Sequence, residues 1–258
     1  MKNSTETQRD HFNTIAQEYS RTRESANHVL LKKLMWAAFF KRAKIKKIVF
    51  NKVLEPMCGM AEAYKMLREN FGDDFAYKGF DFSDEMVKLS KEKNKHLDIE
   101  WNDVTAFRGG EVKYDLIVIL AGLHHVYSKV NSVVQTLSEN QSKNGYFISF
   151  EPTHNNFIYE TIRRKIYEKN EVFDSETEQG FDYQKFNKVF ESNGYKKIDE
   201  VYPGLSSYIL YFNPDAFPRL NVGGQWLVKM LFSLDRLFWS NWIGRKFSFA
   251  TLTLWQKK

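Results

Sequence analysis

Apolar residues recur at two different spacings along the chain, and the spacing changes near residue 50. In residues 6–46 the spacing is helical, and the first apolar face consists of Phe12, Ile15, Ala16 and Tyr19. From about residue 51, short apolar runs of strand length alternate with helical segments. The pattern therefore predicts a helical N-terminal segment that is followed by an α/β domain.

Seven runs have the length and composition of β-strands. They are Lys52–Glu55, Tyr77–Phe82, Asp98–Asn102, Tyr114–Ala121, Tyr146–Glu151, Lys196–Val201 and Phe247–Trp255. After Asp115 the fourth run is continuously apolar, as a strand buried on both faces of a parallel sheet should be. Because helical segments separate most of these runs, we predict an α/β fold with a Rossmann-like, seven-stranded, mostly parallel sheet.

The predicted domain organisation has a cover, a main domain and a cap. Residues 1–46 form the N-terminal helical cover, and residues 47–258 form the main domain. Two insertions interrupt the main domain, at residues 153–180 and at residues 202–246. Ligands of open parallel sheets bind beyond the carboxyl ends of the strands. Both insertions emerge at that edge, so we expect them to cap the site.

Charge and cysteine content narrow the class of protein. Lys and Arg number 38 against 32 Asp and Glu, without a dense basic block, so no nucleic-acid partner is expected. The single cysteine, Cys58, excludes an internal disulfide and a cysteine-rich zinc site, and no metal is expected. A polar start and the lack of a long apolar run favour a cytoplasmic location.

The first two strand ends carry residues suited to a nucleoside. Gly59 lies in a small-residue turn after the first strand, but neither a G-x-G-x-x-G pattern nor a phosphate-binding G-x-x-x-x-G-K-[ST] is present. Asp81 follows Gly59 by 22 residues, a distance that suits a carboxylate accepting from a ribose diol. A plain tight turn at Gly59 and a helix-capping acid at Asp81 are the alternatives.

Five segments in this order resemble the class I S-adenosylmethionine-dependent methyltransferases, most closely the small-molecule group that includes quinone-biosynthesis enzymes. The segments are residues 53–67, 77–90, 101–104, 114–126 and 144–152. Residues 12–23 resemble the segment that covers the cofactor in that group. The resemblance implies methyl transfer from S-adenosylmethionine, with S-adenosylhomocysteine as the product.

The resemblance also implies a set of cofactor-binding residues. They are Glu55 and Gly59 at the methionine part, Asp81 at the ribose, Phe82 on the adenine, Asp103 at the adenine amino group with Asn102 and Val104 beside it, Leu120 and Ala121 near the sulfonium, and Tyr19 as a cover. Met57 and Ala61 stand where the family's loop has its first and third glycines. That departure keeps a rival open, a non-catalytic binding or scaffold protein that retains the fold.

Candidate catalytic residues follow the fourth and fifth strands. They are His124, His125, Glu151 and His154. An imidazole with a pKa near neutrality suits proton abstraction from a hydroxyl, so O-methylation is favoured over N- or C-methylation. Glu151 is interpreted as a second base or as a residue that orients the acceptor. The sequence does not choose between the two adjacent histidines.

The second insertion bears on the acceptor. Residues 225–246 predict an amphipathic helix whose apolar face packs on the domain, lines an acceptor pocket, or touches a membrane surface or a second subunit. Arg245 and Lys246 would suit anionic lipid, so peripheral contact with the inner membrane surface is one hypothesis. Arg163 and Arg164 leave room for an acidic acceptor. The expected acceptor is a small or lipid-like molecule; the aromatic composition disfavours RNA or protein substrates.

Overall fold

A computed structural model describes residues 4–42, 45, 47–153, 181–214 and 217–258. Its strands are β1 (Lys52–Pro56), β2 (Ala76–Asp81), β3 (Asp98–Trp101), β4 (Tyr114–Leu120), β5 (Gln141–Pro152), β6 (Tyr195–Val201) and β7 (Ala250–Lys257). They form one seven-stranded sheet in the order β3-β2-β1-β4-β5-β7-β6. Only β7 runs antiparallel to its neighbours, so the prediction of a seven-stranded, mostly parallel sheet is confirmed.

The helices of the described residues alternate with these strands. They are α1 (Ser4–Thr22), α2 (Ala26–Phe40), α3 (Glu62–Phe71), α4 (Asp84–Lys93), α5 (Val130–Glu139), α6 (Tyr183–Ser192), α7 (Ser206–Tyr211), α8 (Gln225–Arg236) and α9 (Trp242–Phe247). Short 3-10 helices span Leu123–Lys129 and Pro218–Leu220. None of the helices seen in these residues has the length and apolarity to cross a membrane.

Two predicted boundaries shift for local reasons. The last strand begins at Ala250 rather than at Phe247, because Asn241 caps α9 by accepting from the N–H groups of Ile243 and Gly244. Strand β5 begins five residues earlier than predicted, at Gln141, which pairs with Tyr114 across a register irregularity. In both places a side-chain cap or a bulge, not the apolar pattern, sets the boundary.

Hydrophobic residues fill both faces of the sheet. On one face, α2, α3, α7 and α8 pack against side chains of β1, β4, β5 and β7, and α2 contributes Trp36 and Phe39. On the other face, α5 and α6 cover residues such as Ile117, Phe147 and Trp255. Helix α2 therefore shares its core with the sheet.

The second insertion begins where β6 ends and returns where β7 begins, at the carboxyl edge of the sheet. Its inner side chains Val228, Phe232 and Trp239 are buried in the core that also contains α2. Of the first insertion, residues 154–180 lie outside the described residues. The packing interpretation of the amphipathic segment thus holds for its inner face.

Candidate active site

The loop between β1 and α3 has left-handed backbone at alternate positions. Met57, Gly59 and Ala61 have φ angles of 56°, 47° and 55°. This region costs little only for glycine, so Met57 and Ala61 hold a conformation that their residue types disfavour. A Cβ built on Gly59 would meet no atom within 4 Å, which leaves room for a ligand against the loop backbone. The chain thus retains the shape of a glycine-rich cofactor loop with a single glycine.

Asp81 at the end of β2 is tied to this loop. Its Oδ2 accepts from the Gly59 N–H at 2.9 Å, and its Oδ1 accepts from the Ser83 N–H at 3.0 Å. The side chain is buried, and burial raises its pKa while the backbone N–H donors act to lower it. Each carboxylate oxygen can accept more than one hydrogen bond, so a ribose diol can still bind. Ser83 caps α4, which rules out Asp81 as the capping acid.

A cleft of about 280 Å³, open solvent at its mouth included, adjoins the ends of β2 and β3. It is lined by Gln8, Met57, Phe82, Asn102, Asp103, Val104 and Val126. Five of these residues are ones that the sequence assigns to cofactor binding. The structure therefore brings them together, and it adds Gln8 and Val126.

The end of the cleft near β3 is held by hydrogen bonds. Asp103 accepts from both the N–H and the hydroxyl of Thr105, at 2.8 and 3.0 Å. Trp101 donates its indole N–H to the Phe82 carbonyl at 2.8 Å, which joins the ends of β2 and β3. Asp103 and the Phe82 backbone are thereby fixed before a ligand arrives.

Helix α1 covers the cleft from the other side. The Asn13 amide oxygen accepts from the Ser83 hydroxyl at 2.7 Å, which docks α1 on the start of α4. The Phe12 ring contacts Phe82 and His125, with centroid distances of 6.1 and 5.1 Å. Gln8 lies one helical turn before Phe12 on the apolar face of α1, and a polar residue in that register is the signal that could have identified it.

Tyr19 lies further along α1, at the junction with the second insertion. The Arg23 guanidinium lies 4.1 Å from the centre of the Tyr19 ring, and Arg23 also donates to the Asn213 amide oxygen at 3.3 Å. Arg23 therefore links the Tyr19 ring on α1 to the segment that follows α7.

Glu55 lies beneath the loop rather than at its surface. Its carboxylate accepts from the Tyr77 hydroxyl at 2.6 Å and from the N–H groups of Ala63 and Tyr64 at 2.9 and 3.4 Å. Burial raises the pKa of Glu55 to about 7. These contacts anchor the first turn of α3 and so support the loop from below.

A second carboxylate organises the turn after β4. Glu151 Oε1 accepts from the N–H groups of Gly122 and Leu123 at 3.0 and 2.9 Å, and Oε2 accepts from the His124 N–H at 3.3 Å. The side chain is buried, and burial raises its pKa to about 8 against the effect of these donors. Glu151 thus fixes the direction of the segment that carries both histidines.

Glu151 also selects one of the two histidines. His124 Nδ1 lies 3.0 Å from Glu151 Oε2, whereas the His125 ring packs against Phe12. An ionised Glu151 accepts the Nδ1–H, which leaves the His124 Nε2 as the proton acceptor. The two imidazole centroids are 4.0 Å apart. The geometry therefore makes His124 the oriented imidazole.

The floor next to this turn is formed by Leu120 and Ala121. Ala121 has a φ of 52°, and its N–H donates to the Phe150 carbonyl at 2.6 Å. Met57 crosses from the first loop to this floor, since a Cβ on Gly122 would lie 2.9 Å from its sulfur. Met57 thus fills the space between the ends of β1 and β4.

Aromatic side chains surround the end of β5 on the opposite sheet face. The Phe150 ring contacts Phe212 and Tyr208 at centroid distances of 5.2 and 6.1 Å, and Trp36 at 6.0 Å. His154, Arg163 and Arg164 lie outside the described residues. Within the described ranges, no group of three or more His, Cys, Asp or Glu could hold a metal ion.

The comparisons with known proteins agree with this geometry. Residues 53–145 match the family model of a methyltransferase domain. No curated protein matches the chain in sequence.

Solved structures share the fold at low identity. Magnesium protoporphyrin IX methyltransferase from Synechocystis PCC 6803, with bound S-adenosylhomocysteine, has a TM-score of 0.60 and 13% identity over 97% of this chain and 98% of that one. A TehB-like S-adenosylmethionine-dependent methyltransferase from Corynebacterium glutamicum has a TM-score of 0.56 and 13% identity over 96% of this chain and 99% of that one. A putative sarcosine dimethylglycine methyltransferase from Galdieria sulphuraria has a TM-score of 0.55 and 13% identity over 90% of this chain and 85% of that one.

The fold and the loop–carboxylate pair at the ends of β1 and β2 define a class I methyltransferase fold. Residues 53–145 match a methyltransferase domain, and together with the fold this match supports S-adenosylmethionine-dependent methyl transfer. The residues present fit that cofactor, because open space above Gly59 adjoins a buried carboxylate at Asp81.

Proposed function

We propose that the enzyme methylates a hydroxyl oxygen of an apolar small-molecule or lipid-like acceptor, with His124 as the general base. The observation that carries this proposal is the 3.0 Å contact between His124 Nδ1 and Glu151 Oε2. A buried carboxylate that orients an imidazole at the carboxyl edge of a parallel sheet is an arrangement suited to proton abstraction. Glu151 is then a positioning residue rather than a second base.

The cofactor residues take the following proposed roles. Asp81 binds the ribose hydroxyls; Phe82, Asn102, Asp103 and Val104 hold the adenine; Met57, Gly59 and Ala61 face the methionine part; Leu120 and Ala121 form the floor; Tyr19 closes the site; and Glu55 supports the loop. The carboxylates of Asp81, Asp103 and Glu55 are prepositioned by hydrogen bonds within the chain. Alignment of two reactants can contribute about 7–11 kcal/mol to the barrier reduction, so rigidity here serves the rate.

S-adenosylmethionine, when bound, supplies an electrophilic methyl group on a sulfonium sulfur. His124 Nε2 accepts the proton of the acceptor hydroxyl, and the oxygen electron pair is then available for the new carbon–oxygen bond. Glu151 accepts the Nδ1–H and stabilises the imidazolium that forms. Base assistance of this kind contributes about 10²–10⁴-fold to the rate.

The aromatic composition of the second insertion favours an apolar acceptor. The rings of Phe150, Phe212 and Tyr208 themselves pack in the core on the opposite sheet face, so they are not assigned to the acceptor. The structural relatives are described as acting on a magnesium porphyrin and on sarcosine or dimethylglycine, so the fold alone does not choose between oxygen and nitrogen. A lipid-like acceptor implies work at a membrane surface, and residues 225–246 are the proposed segment for peripheral contact.

The test is transfer of a labelled methyl group to a panel of phenols, long-chain quinols, carboxylic acids and amines. Wild type is compared with His124→Gln and with the neighbour His125→Gln. We expect hydroxyl acceptors to be methylated, with kcat reduced about 10²-fold or more by His124→Gln and much less by His125→Gln. A preference for amines that is indifferent to His124→Gln would reject the proposal in favour of N-methylation.

A further inference from the structure

Helix α8 and the segment after it expose a second apolar face. Its members are Trp226, Met230, Leu234, Leu237 and Trp242, with exposed fractions of 68%, 44%, 50%, 70% and 69%. The first three are spaced four residues apart, so they lie along one side of α8. We call these five residues the apolar ridge.

Among the described residues, α8 packs on the domain through its other side and leaves the ridge exposed. The opposite side of α8 places Val228 and Phe232 in the core against α2. An amphipathic helix needs only one apolar face to dock on its own domain. Large exposed side chains that are contiguous on a folded protein mark a surface for a partner or a membrane.

Positive charge surrounds the ridge. Lys229, Arg236, Arg245 and Lys246 are exposed beside it. The single acidic residue of 217–249 is Asp235, which is buried and accepts from the backbone and hydroxyl groups of Ser206 and Ser207. In the described part of this segment, the exposed charges are therefore all positive.

Helix α2 and the segment that follows it are also rich in Lys and Arg. Residues 25–54 contain eight Lys or Arg and no Asp or Glu, against a net charge of +6 for the whole chain, so the remainder is net negative. The Asn27 amide donates to the Asn221 amide oxygen at 2.9 Å, and Arg42 donates to the Ser240 hydroxyl at 3.1 Å. Because contacts join the two segments near both helix ends, α2 and α8 lie side by side. Within this stretch Lys32 pairs with Glu62 and Arg42 pairs with Asp199, so the added positive charge comes from the other lysines.

We propose that the apolar ridge and the cations around it dock the enzyme on a membrane surface that contains anionic lipid. Apolar side chains would enter the interface, the cations would face the headgroups, and the tryptophans at both ends suit the boundary between the two. A second copy of this chain is a poorer occupant, since a two-fold interface would bring like charges together. Nucleic acid would use the cations but leave the ridge exposed to water.

Docking there would also place the acceptor side of the site near the lipid. The ridge belongs to the insertion between β6 and β7, at the carboxyl edge that carries Glu151 and His124. The inference extends the proposed membrane contact. Vesicle binding is read without cofactor or acceptor, so its failure is distinguishable from a failure of methyl transfer.

The experiment is cosedimentation of the full chain with vesicles of phosphatidylcholine alone or with added phosphatidylglycerol. We expect binding to the anionic vesicles, a blue shift of tryptophan emission that Trp226→Phe reduces, and weakening by salt. Lys229→Gln with Arg236→Gln should weaken binding roughly 30-fold. Lys95→Gln with Lys143→Gln removes the same charge from exposed sites elsewhere and should change binding much less.

The ridge is tested by Met230→Glu with Leu234→Glu, which should weaken binding on the order of 100-fold. Val112→Glu is the matched control, because Val112 is 49% exposed and precedes β4 at the opposite edge of the sheet. Circular dichroism checks that each variant is folded. No binding by wild type, equal binding to both vesicle types, or equal effects of the test and control variants would overturn the proposal. A dimer in sedimentation equilibrium that the ridge variant dissociates would assign the ridge to a second copy.

Discussion

The backbone N–H of Gly59 and the carboxylate of Asp81 are joined by a 2.9 Å hydrogen bond. The loop after β1 and the acid after β2 are therefore one unit, although 22 residues separate them in sequence. Because Asp81 also holds the Ser83 N–H, the same carboxylate sets the approach to α4. A ligand bound by Asp81 meets a carboxylate that is already oriented.

Replacement of Asp81 by asparagine tests this coupling. The amide has one acceptor oxygen for two backbone donors, and it lacks the charge that would bind a ribose diol. Loss of hydrogen bonds to a charged group costs about 1.5–3 kcal/mol each, so we expect affinity for S-adenosylhomocysteine to fall roughly 10–100-fold by calorimetry. Asp84→Asn, an exposed neutralisation three residues away, should bind like wild type. Equal affinities for the two variants would show that Asp81 is structural only.

The left-handed backbone of the loop predicts that two alanine-to-glycine substitutions change the free energy of unfolding in opposite directions. Ala61 has a φ of 55°, so Ala61→Gly should relieve strain and raise the free energy of unfolding by about 1 kcal/mol. Ala63→Gly makes the same chemical change two residues later in the first turn of α3, where glycine costs about 1 kcal/mol. Both side chains are fully buried, so lost packing is comparable. Urea denaturation that shows both variants destabilised equally would contradict the strain.

The sequence could predict the sheet because the spacing of apolar residues and the residue composition of a strand are properties of a short stretch of chain. The apolar run of β4 and the spacing between Gly59 and Asp81 each depend on a short stretch of chain. The choice between His124 and His125 was not available, since it depends on where Glu151 points after folding. The two adjacent rings lie 4.0 Å apart, and only their different tertiary partners, Glu151 and Phe12, distinguish them.

Gln8 was missed for a related reason. Its role depends on the docking of α1 through Asn13 onto Ser83, a contact between helices 70 residues apart. The second apolar face of α8 was likewise ambiguous. A wide apolar stripe does not reveal which half meets α2 until the two helices are placed together.

The pKa of Glu55 predicts a pH dependence of stability. Burial raises that pKa from 4.5 to about 7, so the folded state binds the proton more tightly than the unfolded state. The free energy of unfolding should then fall as pH rises from about 4.5 to about 7, by up to about 3 kcal/mol from this group. Glu55→Gln cannot titrate and should lack that part of the fall, measured by urea denaturation across pH. The exposed Glu111→Gln should keep the wild-type slope, and a parallel Glu55→Gln curve would refute the assignment.

The contact between His124 and Glu151 predicts that the rate of methyl transfer depends on pH. Burial raises the pKa of Glu151 to about 8. While Glu151 is protonated it donates to His124 Nδ1, so the ring nitrogen facing the acceptor carries a proton and cannot serve as base. The rate of methyl transfer at saturating S-adenosylmethionine should therefore rise with pH through about 8.

Replacement of Glu151 by glutamine separates positioning from binding. The amide does not ionise and cannot accept from three backbone donors and an imidazole together, so we expect kcat to fall about 10²-fold and the limb near pH 8 to vanish. Affinity for S-adenosylhomocysteine should stay within a few-fold, because most of the residues proposed to bind the cofactor lie at the ends of β1, β2 and β3, whereas Leu120 and Ala121 adjoin the turn that Glu151 holds. A loss of cofactor affinity in step with kcat would instead indicate collapse of the turn after β4. An unchanged pH profile would remove Glu151 from the proton path.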